Sequence, residues 1–189
     1  MTVAEPRFGS LLPNIITKPP GRLSKDFIKR LREVESRNVT HLRSGWPTFW
    51  ERACGSNVQD VDGNIYLDLS SAFGVALIGH TNPRVVQALK VQGEQILHGM
   101  GDIHPPAKKV ELLERLCGIV PWTDARAVLA TSGSEAIEIA LKTARLTTGK
   151  SGVVSFHGAY HGLTMGALAV TDRAHFRSHF EDQLYRGVA

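Results

Sequence analysis

The sequence predicts an α/β fold, and three observations support this prediction. Residues 126–131 and 153–156 are short apolar runs typical of buried strands, and a strongly helical segment lies between them. Residues 56–69 alternate polar and apolar side chains on both sides of Asp62-Gly63, as in a β-hairpin. The composition, 42% hydrophobic and 21% charged in 189 residues, fits a globular protein with a buried core. The order strand, helix, strand predicts a parallel βαβ unit from Ala127 to Phe156.

The first part of the chain accounts for the net charge of +4. Residues 1–44 carry nine basic and four acidic side chains, whereas the remainder carries 13 basic and 14 acidic ones. Residues 1–45 are therefore defined as a basic leader. Apolar residues at helical spacing predict one amphipathic helix in it, from Ser24 to Arg37 (Phe27, Ile28, Leu31 and Val34). A charged leader of this kind is typical of a solvated helix face, so we expect no nucleic-acid partner.

Two helices are predicted after the hairpin. Asn82 and Pro83 are a typical cap and first residue of a helix, which should end near Gly99. A second helix should run from Pro106 to Pro121. Their spacing assigns these apolar residues to the buried sides: Val85, Val86, Leu89, Ile96 and Leu97 in the first helix, and Val110, Leu113, Leu116 and Cys117 in the second.

A further helix is predicted directly after the first apolar run. Ser132 and Glu135 have the spacing of a capping box, and Gly149 is the expected end of this helix. A helix start exposes unpaired N–H groups, Gly133 lets an anion approach the backbone, and the Ser134 hydroxyl adds a donor. This pattern is compatible with a phosphate site. An ordinary capped helix is the alternative interpretation of the same residues.

A second loop, residues 157–162, follows the second apolar run. Ligands bind at the carboxyl ends of parallel strands, and an aromatic ring between glycines, here Tyr160, can lie on a flat ligand. Tyr160 as a packed residue, and His157 and His161 as hydrogen-bonded loop histidines, are the alternatives. Taken together, the two loops predict a pocket for a planar phosphorylated ligand. A short helix is expected next, over residues 163–170.

Residues 46–186 resemble the amino-terminal part of class III aminotransferases, which are pyridoxal-phosphate enzymes of fold type I. Five motifs carry the resemblance and occur in the order of the family: Trp46-Pro47 with residues 50–53, then 60–68, 79–83, 132–136 and 156–162. The resemblance implies pyridoxal 5'-phosphate as cofactor and transfer of an amino group from an amine or amino acid to a 2-oxo acid. It also implies a homodimer.

The resemblance also implies roles for individual residues. Gly133 and Ser134 would bind the cofactor phosphate, Tyr160 would stack on the pyridine ring, and His161 with Gly162 would shape that loop. A substrate-side segment is implied as well, made of Phe73, Gly74 and Val75. Residues 46–70, with the hairpin, would belong to the small domain, and residues 71–189 would form the first part of the cofactor-binding large domain, so that the fold is incomplete.

No catalytic residue is predicted within the chain. In the family, the Schiff-base lysine and the aspartate that contacts the pyridine nitrogen come from strands downstream of the Tyr160 loop. The eight lysines of this sequence lie in the leader, on predicted helices or at a helix end: Lys18, Lys25, Lys29, Lys90, Lys108, Lys109, Lys142 and Lys150. We therefore expect this chain to be truncated and inactive alone. The alternative is a non-catalytic regulatory chain that associates with full-length aminotransferase subunits.

The sequence also allows predictions about metals and location. His175 and His179 have helical i,i+4 spacing with Asp172 nearby, but two histidines without a third ligand are weak evidence, and we expect no metal site. No segment has the ~18 consecutive apolar residues of a membrane helix, so no membrane partner is expected. Two cysteines far apart, Cys54 and Cys117, favour a reducing compartment. We expect the cytoplasm, with the mitochondrion as the alternative.

Overall fold

The computed structural model describes residues 7–37, 39–43 and 45–189. The chain forms two compact units, Met1–Gly99 and Met100–Ala189. Among the described residues, no helix combines the length and the apolar character that crossing a membrane requires.

The first unit contains an antiparallel sheet with the strand order β1 (Trp50–Cys54), β2 (Asn57–Asp60) and β3 (Ile65–Leu67). β2 and β3 form the predicted hairpin, in which Val58 lies opposite Tyr66. Gly63 occupies the turn with φ +87°, a conformation that glycine adopts without steric cost. The hairpin prediction is therefore confirmed, whereas β1 was not predicted.

The leader contains the predicted amphipathic helix, α1, at Arg22–Val34. Its start is capped by a residue of the hairpin turn, because the Asp62 carboxylate accepts the N–H groups of Leu23 (2.7 Å) and Ser24 (3.0 Å). The Phe27 ring of the apolar stripe stacks on Phe49, with ring centroids 5.2 Å apart.

Residues 9–17 run beside the hairpin, where two buried asparagines hold them. Asn57 Oδ1 accepts the N–H groups of Gly9 and Leu11 at 2.9 and 2.8 Å. Asn64 Oδ1 accepts those of Ile16 and Thr17 at 2.9 and 2.8 Å. The two amide side chains thus provide hydrogen-bond acceptors that a neighbouring strand would otherwise provide for the backbone of this irregular segment.

The first unit ends with the short turn α2 (Ser71–Gly74) and the helix α3 (Pro83–Gln95). The predicted cap is confirmed, since Asn82 Oδ1 accepts the Arg84 N–H at 3.0 Å. α3 stops four residues before Gly99. Its predicted buried side is wrong: Leu89 is 68% exposed and Leu97 is 90% exposed, because no described element packs against this face.

The second unit consists of the helices α4 (Ala107–Ile119), α5 (Gly133–Thr148), α6 (Met165–Ala169) and α7 (Ala174–Arg177). Gly149 ends α5 in the left-handed conformation, as predicted. A small core forms around α6, with Leu168, Ala169 and Leu184 buried and two partly buried side chains packed on them, Phe176 and Val188. The predicted helices are confirmed, but the predicted burial of α4 is only partial, since Val110 is exposed and Leu113, Leu116 and Cys117 are half-buried.

The two predicted strands of the βαβ unit do not pair with each other. Residues 126–131 belong to no strand, and Val128 in this run is exposed. Residues 153–156 contribute a single parallel bridge, from Val153 to Val188. A segment becomes a strand only when a neighbouring segment supplies its hydrogen bonds. In the described part of the chain, residues 126–131 have no such neighbour, so the predicted parallel unit is corrected to one helix between two segments that do not pair with each other.

Candidate functional site

The predicted phosphate site is the N-terminus of α5. Ser132 caps the helix, its Oγ accepting the Glu135 N–H at 3.2 Å. The return bond of the capping box differs from the prediction, because the Glu135 carboxylate accepts the N–H and hydroxyl of Thr131, each at 2.6 Å. The Thr131 hydroxyl lowers the pKa of Glu135, so this side chain stays ionised. The N–H groups of Gly133 and Ser134 lie in the first turn, where helical geometry provides no acceptor.

Gly133 and Ser134, the first two residues of α5, differ in the free space around them. A Cβ placed on Gly133 would meet no atom within 4 Å, so the backbone here is open to an approaching group. Ser134 is instead half-buried, and its side chain faces Gly162 of the second loop.

The second loop, residues 157–162, lies against the start of α5. Gly162 is buried and has φ +124°, and a Cβ at this position would lie 2.8 Å from Ser134 Cβ. Glycine is thus required at position 162, because any side chain would be strained at this φ and would clash with Ser134. The structure therefore brings together Ser134, Gly162 and the adjacent His161, which are 27 or 28 residues apart across the two loops.

Tyr160, the predicted stacking residue, projects from the same loop. Its side chain is 50% exposed. The ring packs on Phe176 with a centroid distance of 5.5 Å and an interplanar angle of 58°. The Arg173 guanidinium carbon lies 5.8 Å from the ring centroid. Tyr160 is therefore partly supported by the core around α6 while much of the ring remains accessible.

The histidines of this loop differ in environment. His157 is fully exposed, and its Nδ1 lies 3.6 Å from Asp172 Oδ1. His161 is half-buried and its backbone N–H donates to Thr171 Oγ1 at 2.9 Å. The sequence analysis did not single out Thr171, and it considered Asp172 only beside a possible metal site; both contact this loop. The pattern Thr-Asp directly after a short helix was the available signal, since both side chains commonly accept nearby backbone N–H groups.

A cavity of about 720 Å³ in the second unit lies beside α5. Apolar side chains of α5, such as Ile137 and Leu141, line it together with Val153 and Val188. Its lining includes His161 but none of Gly133, Ser134 and Tyr160. The candidate cofactor residues therefore form an open surface site next to this cavity.

The predicted substrate-side segment, Phe73-Gly74-Val75, belongs to the first unit. The turn leading into this segment contains three consecutive residues other than glycine with positive φ. The values are +50° at Ser71, +49° at Ala72 and +56° at Phe73. This left-handed turn costs roughly 1–2 kcal/mol per residue. It presents Phe73 and Val75 to solvent, since both side chains are exposed.

The Asp68 carboxylate holds the strained turn. It accepts hydrogen bonds from Ser70 N–H (3.0 Å), Ser70 hydroxyl (2.7 Å) and Ala72 N–H (2.8 Å). His80 Nε2 lies 2.8 Å from Oδ2, the oxygen that also accepts the Ala72 N–H, and the Asp68 side chain is only 4% exposed. The Ser70 hydroxyl, followed by His80, lowers the pKa of Asp68 to about 2. Strain held by such a network is characteristic of ligand-binding segments.

Within residues 7–37, 39–43 and 45–189, no group of three histidine, cysteine or acidic side chains is placed to hold a metal ion. His175 contacts Phe176 edge to face, with ring centroids 5.0 Å apart.

Comparison with known proteins identifies the family. The sequence profile described as "Aminotransferase class-III" matches residues 39–188. The chain belongs to the class III aminotransferase family. It is 40% identical over 149 residues to the acetylornithine aminotransferase of Archaeoglobus fulgidus, covering 79% of this chain and 39% of the relative. It is 33% identical over 158 residues to the alanine/serine racemase of Pyrococcus horikoshii, covering 84% of this chain and 33% of the relative.

The fold comparison agrees with the family. The omega transaminase from Pseudomonas jessenii, solved in complex with PMP, superposes with a TM-score of 0.75 at 22% identity, over 84% of this class III chain and 37% of that one. The fold type I assignment is thereby confirmed, as an incomplete version of that fold. The chain spans about a third of the length of the curated relatives it matches.

Proposed function

We propose that this chain provides part of the cofactor-binding site of a pyridoxal-phosphate-dependent transaminase. Such an enzyme transfers an amino group from an amine or amino acid to a 2-oxo acid. The observation that carries the proposal is the approach of Gly162 to Ser134, which joins the Tyr160 loop to the start of α5 in a chain of this family. A flat ligand with a phosphate needs a ring surface and an anion site close together, and this contact supplies both.

The residues present fit pyridoxal 5'-phosphate. The open backbone at Gly133 admits a phosphate oxygen, and the first-turn N–H groups with the Ser134 hydroxyl can donate to it. The accessible part of Tyr160 offers a surface for the pyridine ring, and His161 positions the loop through its backbone. When bound, the cofactor acts as an electron sink for the amino-acid carbon. The role of these residues is to bind and orient it.

The substrate side is proposed to include Phe73, Gly74 and Val75. The left-handed turn held by Asp68 keeps Phe73 and Val75 exposed, which an apolar contact to an amine substrate requires. We further propose residues 1–45 as leader, 46–70 as small-domain segment and 71–189 as the first part of the large domain. The assembly is proposed to be a homodimer, and the location a reducing, cytoplasmic one, in keeping with the free thiols of Cys54 and Cys117.

We propose that the 189-residue chain does not turn over substrate alone. A transaminase needs a lysine that binds the cofactor covalently and moves a proton. Lys29 and Lys108 form ion pairs on exposed helix surfaces, with Asp26 and Glu111. Borohydride treatment with pyridoxal 5'-phosphate should leave no specific lysine labelled. A labelled lysine together with turnover would contradict this.

Binding of the cofactor by the chain tests the main proposal. We expect pyridoxal 5'-phosphate to bind, with Ser134→Ala weakening it about tenfold, because a hydrogen bond to a charged group is lost. Ser178→Ala, an exposed serine of the same unit, is the control and should bind like the unchanged chain. Equilibrium dialysis measures the affinity. Equal affinity for pyridoxal, which lacks the phosphate, would refute the anion site.

A second candidate function is a non-catalytic chain that associates with full-length aminotransferase subunits. The observation in its favour is the apolar surface of the second unit, which includes the exposed Leu146, Val154 and Phe156. Co-expression with a full-length class III enzyme should then yield a mixed complex on affinity purification. Recovery of the tagged chain alone would argue against this function.

A further inference from the structure

We propose that Thr171 and Asp172 are positioning residues that hold the two ends of the His157–Gly162 loop. These two adjacent residues are called the loop clasp below. The inference deepens the proposed function, because it rests on Tyr160 and His161 as cofactor-site residues. According to this inference, two side chains outside the family motifs quoted above fix the distance between the Tyr160 ring and the start of α5.

Thr171 holds the carboxyl end of the loop. Its side chain is fully buried, and Oγ1 accepts the His161 N–H at 2.9 Å. The same hydroxyl lies 3.1 Å from the Gly162 carbonyl oxygen and 3.0 Å from that of Ala167, so its single proton is donated to one of them. A buried hydroxyl with this set of partners ties the loop to the core around α6.

The position of Thr171 is itself well defined. Arg177 Nη1 donates to the carbonyl oxygens of Thr171 and Ala169, each at 3.0 Å. Leu168 and Ala169, three and two residues before Thr171, are each 2% exposed and belong to the core. The anchor of the clasp is thus among the least mobile parts of the second unit, as its burial and hydrogen bonds imply.

Asp172 holds the amino end of the loop. Its Oδ2 accepts the Gly158 N–H at 2.6 Å, and its own N–H donates to the Ala159 carbonyl at 2.9 Å. The Gly158 N–H is also the main cause of a lowered Asp172 pKa, which keeps the acceptor ionised. His157 Nδ1 lies 3.6 Å away and is fully exposed, so it adds little.

The consequence is a loop fixed at both ends with Tyr160 between them. One end is held at Gly158 and Ala159, the other at His161 and Gly162, which also contacts Ser134. Tyr160 is half exposed and has Phe176 as its aromatic neighbour. Without the clasp the ring would keep this contact but lose its fixed distance from the phosphate site.

Amide hydrogen exchange of the 189-residue chain, without cofactor, tests the clasp directly. Thr171→Val keeps the shape of the side chain but removes the hydroxyl, so the His161 amide should exchange about tenfold faster. Thr171→Ser keeps the hydroxyl and should restore slow exchange. Likewise, Asp172→Ala should speed exchange of the Gly158 amide, and Asp172→Asn, which keeps an acceptor oxygen, should largely preserve it.

The Val153 amide, which donates to Gly187, reports on the rest of the unit. Faster exchange at His161 and Gly158 with Val153 unchanged supports the clasp. Unchanged exchange at both loop amides would overturn it. Equal acceleration at all three amides, in Thr171→Val and in Asp172→Ala, would also overturn it, since these residues would then serve folding alone.

Cofactor affinity of the same variants separates this inference from the proposed function. If the unchanged chain binds pyridoxal 5'-phosphate, Thr171→Val should weaken binding several-fold and Thr171→Ser should restore it. Failure of the unchanged chain to bind the cofactor, with the exchange pattern intact, would refute the proposed function and leave the clasp supported. Binding that is insensitive to Thr171→Val would refute the positioning role.

Discussion

At the scale of single residues, the protein maintains backbone conformations that cost free energy. Ser71, Ala72 and Phe73 occupy the left-handed region without being glycine. Four hydrogen bonds to the Asp68 carboxylate, from Ser70, Ala72 and His80, offset this cost. The turn holds the side chains of Phe73 and Val75 in exposed positions.

Replacing Ala72 by glycine should therefore stabilise the first unit. Glycine adopts φ +49° without strain, and the gain exceeds its larger entropy loss on folding, leaving about 0.5–1 kcal/mol of added unfolding free energy. Ala88→Gly, at an exposed position inside α3, is the matched control and should cost about 1 kcal/mol. Urea unfolding followed by circular dichroism measures both. Destabilisation by Ala72→Gly would show that the turn is not strained.

Because of Asp68, the free energy of unfolding should vary with pH in the acidic range. Its pKa is about 2 in the folded chain, below the unfolded value of about 3.9, so its contribution is present above about pH 4 and is lost as the pH falls towards 2. In Asp68→Asn this part of the dependence should be missing. Unfolding free energies measured between about pH 5 and pH 2 test this. Parallel curves for the two proteins would contradict it.

At the scale of elements, helix ends are where sequence prediction was most accurate. The caps at Asn82 and Ser132 and the terminator Gly149 depend on residues within three or four positions, so local sequence identifies them. Burial of helix faces was predicted less well. Leu89 and Val110 follow helical spacing but stay exposed, because burial depends on elements distant in the sequence.

Gly149, the C-cap of α5, and Gly118, within α4, should respond oppositely to replacement by alanine. Gly149→Ala should cost about 1 kcal/mol of unfolding free energy, since φ is +69° at this C-cap. Gly118→Ala, inside α4 where an added Cβ meets no atom within 4 Å, should gain about 0.5–1 kcal/mol. Thermal and urea unfolding give both values. A gain at Gly149 would rule out the left-handed cap.

At the scale of the whole molecule, long-range hydrogen bonds of polar side chains organise each unit. In the first unit, Asn57, Asn64 and Asp62 attach the leader to the hairpin across 38 to 48 sequence positions. In the second, Thr171 and Asp172 attach the Tyr160 loop to the core. Both groups of bonds provide acceptors for backbone N–H groups that no helix or strand ladder pairs.

Asn64→Ala should release the leader from the hairpin. Ile16 and Thr17 each lose the acceptor of their N–H group, so their amides should exchange roughly 30-fold faster. Asn14→Ala is the matched control, because Asn14 pairs with Ile65 through its backbone and its side chain is exposed. Nuclear magnetic resonance of the amides measures the rates. Equal effects of the two variants would show that the Asn64 side chain does not hold the leader.

The candidate site shows the same division between local and long-range information. The capping pattern Ser132–Glu135, the glycine at 133 and the aromatic residue at 160 could all be recognised from their immediate neighbours, and so could the family motifs. The contact of Gly162 with Ser134 and the bonds of Thr171 and Asp172 could not, since they join residues 10 to 28 positions apart whose approach no short pattern encodes.

The prediction of two buried strands was also limited by what local sequence can show. Residues 126–131 and 153–156 have the composition of buried strands, yet a strand exists only when its neighbour is in place. Local sequence was therefore sufficient for the turns, caps, helices and family membership of this chain. Three-dimensional packing set the strand pairing, the buried faces and the contact of Ser134 with Gly162, because these depend on free energies of contact between distant segments.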